Sequence, residues 1–323
     1  MRYIIYGAGA VGGVIGGRLF QAGRDVVLIA RGAHLDAIRA NGLTLESPDA
    51  RHTLAIPAVA APGELTLGAN DVVVLAMKSQ DTPGALSALE AAGGAECALL
   101  IAQNGVENER AALRRFARVY TTTVMLPSTH LEPGVVQANS APMSGILDVG
   151  RYPSGADAVA EAICADLAAS TFSSHPEPDV MAWKYQKLLL NLGNAIQAIC
   201  GEDRSPDARE LLSRAKAEAE ACFTAAGIRY VGDAADAARR GTLITVRPIA
   251  GAARGGGSTW QSIQRGKAEV ESDYLNGEVV LLGRLHGVPT PANELLRAEA
   301  NRQARERIVP GTLSAADLLK RLA

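Results

Sequence analysis

Short, almost uninterrupted apolar runs recur through the first half of the chain. Tyr3-Ile4-Ile5-Tyr6, Val26-Val27-Leu28-Ile29, Asp71-Val72-Val73-Val74-Leu75-Ala76, Ala98-Leu99-Leu100-Ile101-Ala102 and Val119–Val124 have the length and β-branched content of strands. Continuous rather than alternating apolarity predicts strands covered on both faces. Helix-compatible stretches such as Ala33–Ala40 lie between them. That alternation predicts a parallel sheet with right-handed crossovers. Gly42-Leu43-Thr44-Leu45 opens an irregular, hairpin-like region lasting to about Pro62, and Val135–Ala138 with Ile146–Val149 is expected as a closing antiparallel pair. From about Ser154 the pattern turns to alanine-rich helix, and the proline-bearing segment Thr171–Pro178 marks a boundary. Beyond it, helices are predicted over Val180–Ile199, Pro206–Ala226, Asp233–Arg240, Gln261–Leu285 and Pro291–Gln303, then Ser314–Leu322 with Ser314 as N-cap. The tract Gly251–Gly257 is read as a surface loop, with a ligand-covering lid as the less favoured reading. The expected fold class is α/β: a doubly wound sheet over residues 1–173, then an all-helical domain over residues 174–323.

The first strand runs directly into Gly7-Ala8-Gly9-Ala10-Val11-Gly12, followed by a small-residue helix that stops at Gly23. A G-x-G-x-x-G turn between strand and helix is the fingerprint of a Rossmann-type dinucleotide site, where a pyrophosphate meets unpaired backbone N–H groups at a helix N-terminus. Gly7 permits the tight turn, Gly9 the approach of phosphate, and Gly12 the close packing of helix on strand, with Ala10 and Val11 completing the binding turn. An acidic residue at the end of the second strand would hold a ribose 2′-hydroxyl, whereas arginine accommodates a 2′-phosphate. This strand ends at Ala30-Arg31, which points to NADP(H). Ligands in such folds collect beyond the carboxyl ends of the strands. Lys78 and Asn104 stand at those ends, where an ammonium and a carboxamide suit phosphate, ribose or nicotinamide.

Composition narrows the classes of partner. With 32 basic and 34 acidic residues the formal charge is −2, which gives no electrostatic footprint for nucleic acid or an anionic membrane. Cys97, Cys164, Cys200 and Cys222 are scattered without metal-ligand spacing, so neither a metal nor a disulfide framework is expected. The first strand begins within a few residues of Met1, leaving no room for a signal peptide, and no apolar run reaches the ~18–20 residues of a membrane span. A cytoplasmic protein is expected. The oligomeric state stays open, a homodimer among the forms allowed.

The second half carries one polar constellation. Lys187, Asn191 and Asn194 are spaced i, i+4 and i+7 in Trp183-Lys184-Tyr185-Gln186-Lys187-Leu188-Leu189-Leu190-Asn191-Leu192-Gly193-Asn194, which places them on one face of a continuous helix. A lysine and two carboxamides among leucines are costly to bury without partners, and a hydroxy- or keto-acid would supply them. On the residues alone, Ser258 reads as an N-cap and Glu271 as a surface carboxylate within a helix.

Taken together, these motifs resemble the ketopantoate reductase family (2-dehydropantoate 2-reductases) from Met1 to about Asn293. The resemblance rests on the fingerprint with Arg31, Lys78, Gln103-Asn104-Gly105, the Trp-x-x-x-Lys-Leu-x-x-Asn helix and Glu271-Ser272-Asp273-Tyr274-Leu275-Asn276-Gly277. It implies an NADPH-dependent reduction of a small 2-keto acid, ketopantoate to D-pantoate, on the way to pantothenate. Lys187 matches the catalytic lysine and Glu271 the active-site glutamate. Asn191 matches the first substrate-domain asparagine, and Lys78 and Asn104 match the cofactor-side polar pair. Arg31 takes the place of the 2′-phosphate ligand. Ser258 and Thr259 stand where the family commonly has a serine pair, one member of which contacts the substrate carboxylate. Three positions depart from the pattern. The second asparagine is Asn194, with Ala195 at the usual place; Ser258-Thr259-Trp260-Gln261-Ser262-Ile263 lacks an aspartate and gains a tryptophan; and the Trp-to-Lys spacing is widened. The same residues also fit a reductase of another 2-keto acid, or a non-catalytic NADP-binding module.

Overall fold

The computed structural model describes residues 1–252, 255–266 and 268–322; Ala253 and Arg254 of the glycine tract therefore lie outside the described residues. The chain divides into two units: Met1–Lys184 with Asp233–Arg254, and Tyr185–Gly232 with Gly255–Ala323. This grouping differs from a single cut after residue 173. The boundary falls inside a helix, and the segment from Asp233 returns to the first unit.

In the first unit the elements are β1 (Arg2–Tyr6), α1 (Ala10–Gln21), β2 (Asp25–Ile29), α2 (Gly32–Asn41), β3 (Leu43–Ser47), β4 (Ala50–Leu54), β5 (Ala58–Val59), β6 (Asp71–Leu75) and α3 (Thr82–Ala91). They continue as β7 (Ala98–Ile101), α4 (Asn108–Leu113), β8 (Val119–Thr122), β9 (Ser128–Thr129), β10 (Val135–Ala138), β11 (Gly145–Ile146), β12 (Val149–Arg151), α5 (Ala158–Ala168) and β13 (Phe172–Ser173). A seven-stranded sheet has the order β12-β8-β7-β6-β1-β2-β5, parallel throughout except for β12, which runs antiparallel to β8. Burial of every residue of β6 and β7 explains their unbroken apolarity. The chain moves outward from β1 to β2, then returns to place β6 on the other side of β1, so the strand order reverses between β1 and β6. The fingerprint sits at that switch point.

The antiparallel pairing expected between Val135–Ala138 and Ile146–Val149 is not formed. β10 pairs parallel with β3 and antiparallel with β9 in a second, four-stranded sheet, β11 pairs with β13, and β12 closes the large sheet. The four-stranded sheet gives α1 a second surface to pack on. A Cβ on Gly12 or Gly16 would lie 2.9 Å from Ile5, and one on Gly13 2.7 Å from Val136 of β10, so glycines on both sides of α1 let two sheets close on it.

The segment from Asp233 joins this unit through specific bonds. Arg239 makes a bidentate pair with buried Asp148, at 2.6 and 2.7 Å, and also reaches Ser173 Oγ. The Thr245 N–H donates to Ser140 Oγ, and the Arg247 N–H to the Asn139 carbonyl. None of these partners is near in sequence, which is why periodicity alone assigned the segment to the helical half.

Further elements are α6 (Val180–Asn191), α7 (Gly193–Cys200), α8 (Pro206–Ala225), α9 (Gly232–Arg240), α10 (Ser258–Gln264), α11 (Asn276–His286), α12 (Pro291–Glu306) and α13 (Ala315–Lys320). Two long predicted helices are interrupted. Val180–Ile199 is split at Leu192, and Gln261–Leu285 breaks where Gly266 takes φ +67°, leaving Glu271–Tyr274 as a 3-10 turn. Ser314 caps α13 as expected, its hydroxyl accepting from the Asp317 N–H. Within the second unit one buried node ties three helices. Glu218 of α8 accepts from the N–H groups of Ala292 and Asn293 at the start of α12, and from Asn293 Nδ2. Asn276 of α11 donates to Asn293 Oδ1.

Candidate active site

The fingerprint turn is built as its glycines require. Gly7 has φ +98°, and a Cβ there would lie 2.7 Å from the Met77 backbone nitrogen. The β1 and β6 strand ends therefore meet across the switch point. A Cβ on Gly12 would sit 2.2 Å from the Gly7 carbonyl oxygen. Gly9 is the N-cap of α1 and no side chain caps that helix, whose first turn is also free of acidic residues. The first N–H groups of a helix have no partner within it, so Ala10, Val11 and Gly12 offer an uncapped donor set to an anion. Beneath the turn, His34 Nε2 donates to the Ala8 carbonyl at 2.7 Å, while Nδ1 accepts from the Gly134 N–H at 2.8 Å. Accepting at Nδ1 requires the neutral ring, and burial holds this imidazole below the usual histidine range.

Arg31 immediately precedes α2 and is its N-cap. Its side chain is 76% exposed and meets Asp81 only at 3.5 Å, a surface contact that holds it weakly. The strand-end turns of β6 and β7 carry half-buried Lys78 and Asn104, the latter followed by Gly105 at φ +79°.

Apart from Gln103, which stands in the family motif, sequence reasoning passed over the residues that link these turns. Gln103 Nε2 donates to the Met77 carbonyl and to Thr82 Oγ1, both at 2.8 Å. Thr82 donates to Asn108 Oδ1, and Asn108 Nδ2 donates to Ser79 Oγ and the Asn104 carbonyl. Lys184, 3% exposed, donates to Glu109 Oε1, to the Gln103 carbonyl at 3.0 Å and to Thr121 Oγ1 at 3.2 Å. Thr121 in turn donates to Glu109 Oε1 at 2.5 Å. All three ammonium protons of Lys184 are thereby engaged within the first unit. A charged side chain inside an apolar helical stretch was the available signal, and its proximity to Lys187 masked it.

In the second unit, Lys187 and Asn191 lie on α6, one helical turn apart; Lys187 is half-buried and Asn191 buried. Asn194 belongs to α7, so the i+7 relation is not carried by one unbroken helix. Leu192 nevertheless keeps helical angles, and its N–H still reaches the Leu188 carbonyl at 3.1 Å. Asn194 instead meets the glycine tract: a Cβ on Gly257 would lie 3.1 Å from Asn194 Oδ1, and the Gly257 N–H donates to Gln197 Oε1 at 2.7 Å. That brings Asn194 beside the residue preceding Ser258 and Thr259. Ser258 is not the N-cap expected of it; Gly257 is, and Ser258 is the first residue of α10. Trp260 lies on the tract as well, its ring 2.8 Å from where a Gly255 Cβ would be. Glu271 opens the 3-10 turn and is 5% exposed, which corrects the reading of a surface carboxylate. Among the described residues there is no group of three or more His, Cys, Asp or Glu arranged to hold a metal, and no helix is long and apolar enough to cross a membrane.

The family model described as ketopantoate reductase PanE/ApbA matches residues 3–154, and its C-terminal counterpart matches residues 179–303. The chain belongs to the ketopantoate reductase family. A 2-dehydropantoate 2-reductase of Mesorhizobium japonicum is 30% identical over 340 residues, covering 95% of this chain and 99% of the relative. One of Pyrococcus horikoshii is 29% identical over 306 residues, covering 92% and 96%. The crystal structure of a PanE/ApbA family ketopantoate reductase from Ralstonia eutropha superposes with a TM-score of 0.80 at 30% identity, covering 95% of this chain and 99% of that one. Family membership makes the chain an oxidoreductase with a Rossmann-type sheet and a helical C-terminal part. The fold is shared more widely: D-mandelate dehydrogenase, solved with NADH and anilino(oxo)acetate, has a TM-score of 0.82 at 20% identity over 96% of this chain and 100% of its own.

Proposed function

We propose that this protein reduces a small 2-keto acid with NADPH, and that the acid is 2-dehydropantoate (ketopantoate), giving D-pantoate for pantothenate synthesis in the cytoplasm. The observation that carries this reading is an uncapped, acid-free fingerprint turn at the switch point of the sheet, with Arg31 at the end of β2, in a chain whose relatives are named 2-dehydropantoate 2-reductases. The turn fits a dinucleotide pyrophosphate, because no side chain caps the first N–H groups of α1 and the space before Gly9 is open, with nothing nearer than 3.9 Å to an added Cβ. When bound, the nicotinamide supplies hydride to the keto carbon. Ala10, Val11 and Gly12 hold the diphosphate, Arg31 pairs with the 2′-phosphate, and Lys78 and Asn104 hold the nicotinamide end. Lys187 hydrogen-bonds the keto oxygen and gives it a proton as the C=O bond becomes C–OH. Lys184 of the same helix is committed to Glu109, Gln103 and Thr121, and Lys187 is the lysine that matches the family's motif. Glu271 binds a substrate hydroxyl or orients Lys187, while Asn191, Asn194, Ser258 and Thr259 hold the acid.

One observation favours a second reading, another 2-keto acid as substrate. Trp260 fills the space over Gly255 and Gly256 at the segment that departs from the family pattern, and pocket shape sets discrimination between similar acids. NADPH oxidation measured with ketopantoate beside simpler 2-keto acids separates the two. Lys187→Ala is expected to lower kcat about 100- to 10,000-fold with NADPH affinity retained. Normal turnover in that variant removes Lys187 from the chemistry.

A further inference from the structure

We propose that Lys184 is a positioning residue for the nicotinamide end of the cofactor, acting through the two strand-end turns that carry Lys78 and Asn104. The proposal rests on the dinucleotide reading above and adds to it a residue that neither motif nor family pattern singles out.

Lys184 and Glu109 are both buried, at 3% and 0% exposure. Burying such a pair confers little net stability compared with apolar side chains of the same volume, because desolvation offsets the attraction. What the pair does provide is direction. The Lys184 ammonium is fixed on three sides by a carboxylate, a hydroxyl and the main-chain carbonyl of Gln103, the residue directly before Asn104. From Gln103 the chain of donors runs in one sense: its side-chain amide to the Met77 carbonyl, the residue directly before Lys78, and to Thr82. From Thr82 it passes to Asn108, whose amide closes back on Ser79 and on the Asn104 carbonyl. Every bond belongs to the first unit. The turns after β6 and β7 are thus registered to one another by a single buried network, and its only cation among the named members is Lys184. Apolar packing would hold the same helix and strand together without fixing the angle of the Gln103 peptide.

The test replaces the pair rather than breaking it. In Lys184→Met/Glu109→Leu no charge is left buried, so the chain is expected to fold with a melting temperature near that of the wild type. Thr121→Val, nearly isosteric, removes one of the three acceptors and serves as a milder second variant. Binding of NADPH is compared with that of adenosine 2′,5′-bisphosphate, which occupies the Arg31 end alone. The double variant is expected to lose about tenfold in NADPH affinity, and Thr121→Val a smaller factor in the same direction, with the adenosine bisphosphate unchanged in both. The KM for NADPH should rise more than kcat falls. Wild-type NADPH affinity in both variants overturns the proposal, and so does an equal loss for both probes, which signals general damage to the unit. A wild-type chain that binds neither probe overturns the dinucleotide reading itself.

Discussion

The two units build their sites from different materials. In the first, the proposed diphosphate contacts are main-chain groups, and the chain records their turn as glycines that nothing else can replace: Gly7 at φ +98°, and Gly12 with only 2.2 Å between its missing Cβ and a carbonyl oxygen. In the second, the candidate groups are side chains on α6, α7, α10 and a 3-10 turn, of which packing brings Asn194 to the residue before Ser258. A main-chain site leaves a local signature, because the positive φ of Gly7 and the contact of Gly12 with the Gly7 oxygen both lie within one six-residue motif. A side-chain site is set by contacts over long separations, such as Gly257 with Gln197, and leaves residues whose types are suggestive but whose geometry is not.

The strongest way to break this comparison is Gly12→Ala. If the first unit's site depends on main-chain approach, one methyl group is enough to displace the turn, since the backbone oxygen it meets has no rotamer to escape into. NADPH affinity is expected to fall about 100-fold or more, read by fluorescence titration beside a melting curve. Binding within threefold of the wild type would show that the turn gives way and that its glycines are dispensable.

The second unit predicts a different response. Glu218 takes three donors from the start of α12, where a carboxylate also meets the favourable end of the helix dipole. Glu218→Ala is expected to cost about 2 kcal/mol, a drop of roughly 5 °C in melting temperature. Stability lost with NADPH titration unchanged would mark α12 as scaffold. A tenfold change in NADPH affinity would tie the second unit's packing to the cofactor, and the contrast drawn above would fail.

These differences decide how much was legible. Strands β1, β2, β6, β7 and β8 of the large sheet, the fingerprint, the strand-end Lys78 and Asn104 and the Ser314 cap were readable, since each rests on local periodicity or local sterics; the edge strands β5 and β12 were not. The pairing of β10 was not, because Val136 reads as an ordinary strand residue until α1 supplies its glycine-lined face. The interruption at Leu192 was missed because apolar periodicity runs through it and the backbone there keeps helical angles, while the break at Gly266 rests on a positive φ that periodicity does not record. Lys184 shows the limit most plainly. Its partners are 63 to 81 residues away in sequence, and the local pattern drew notice to Lys187, spaced with Asn191 and Asn194, instead.

Arg31 gives the smallest expected effect and the sharpest test, because it is a side chain serving a main-chain site. It is 76% exposed and only loosely paired with Asp81, so its removal should leave stability almost unchanged and any change in affinity can be read directly. A pairing between guanidinium and 2′-phosphate at this exposed position should account for about a tenfold preference. Arg31→Ala is therefore expected to weaken NADPH about tenfold and leave NADH where it was, measured as Kd for both cofactors on one preparation. If both cofactors weaken together, Arg31 acts on the adenosine ribose or on α2, whose N-cap it is, and the 2′-phosphate must be recognised elsewhere.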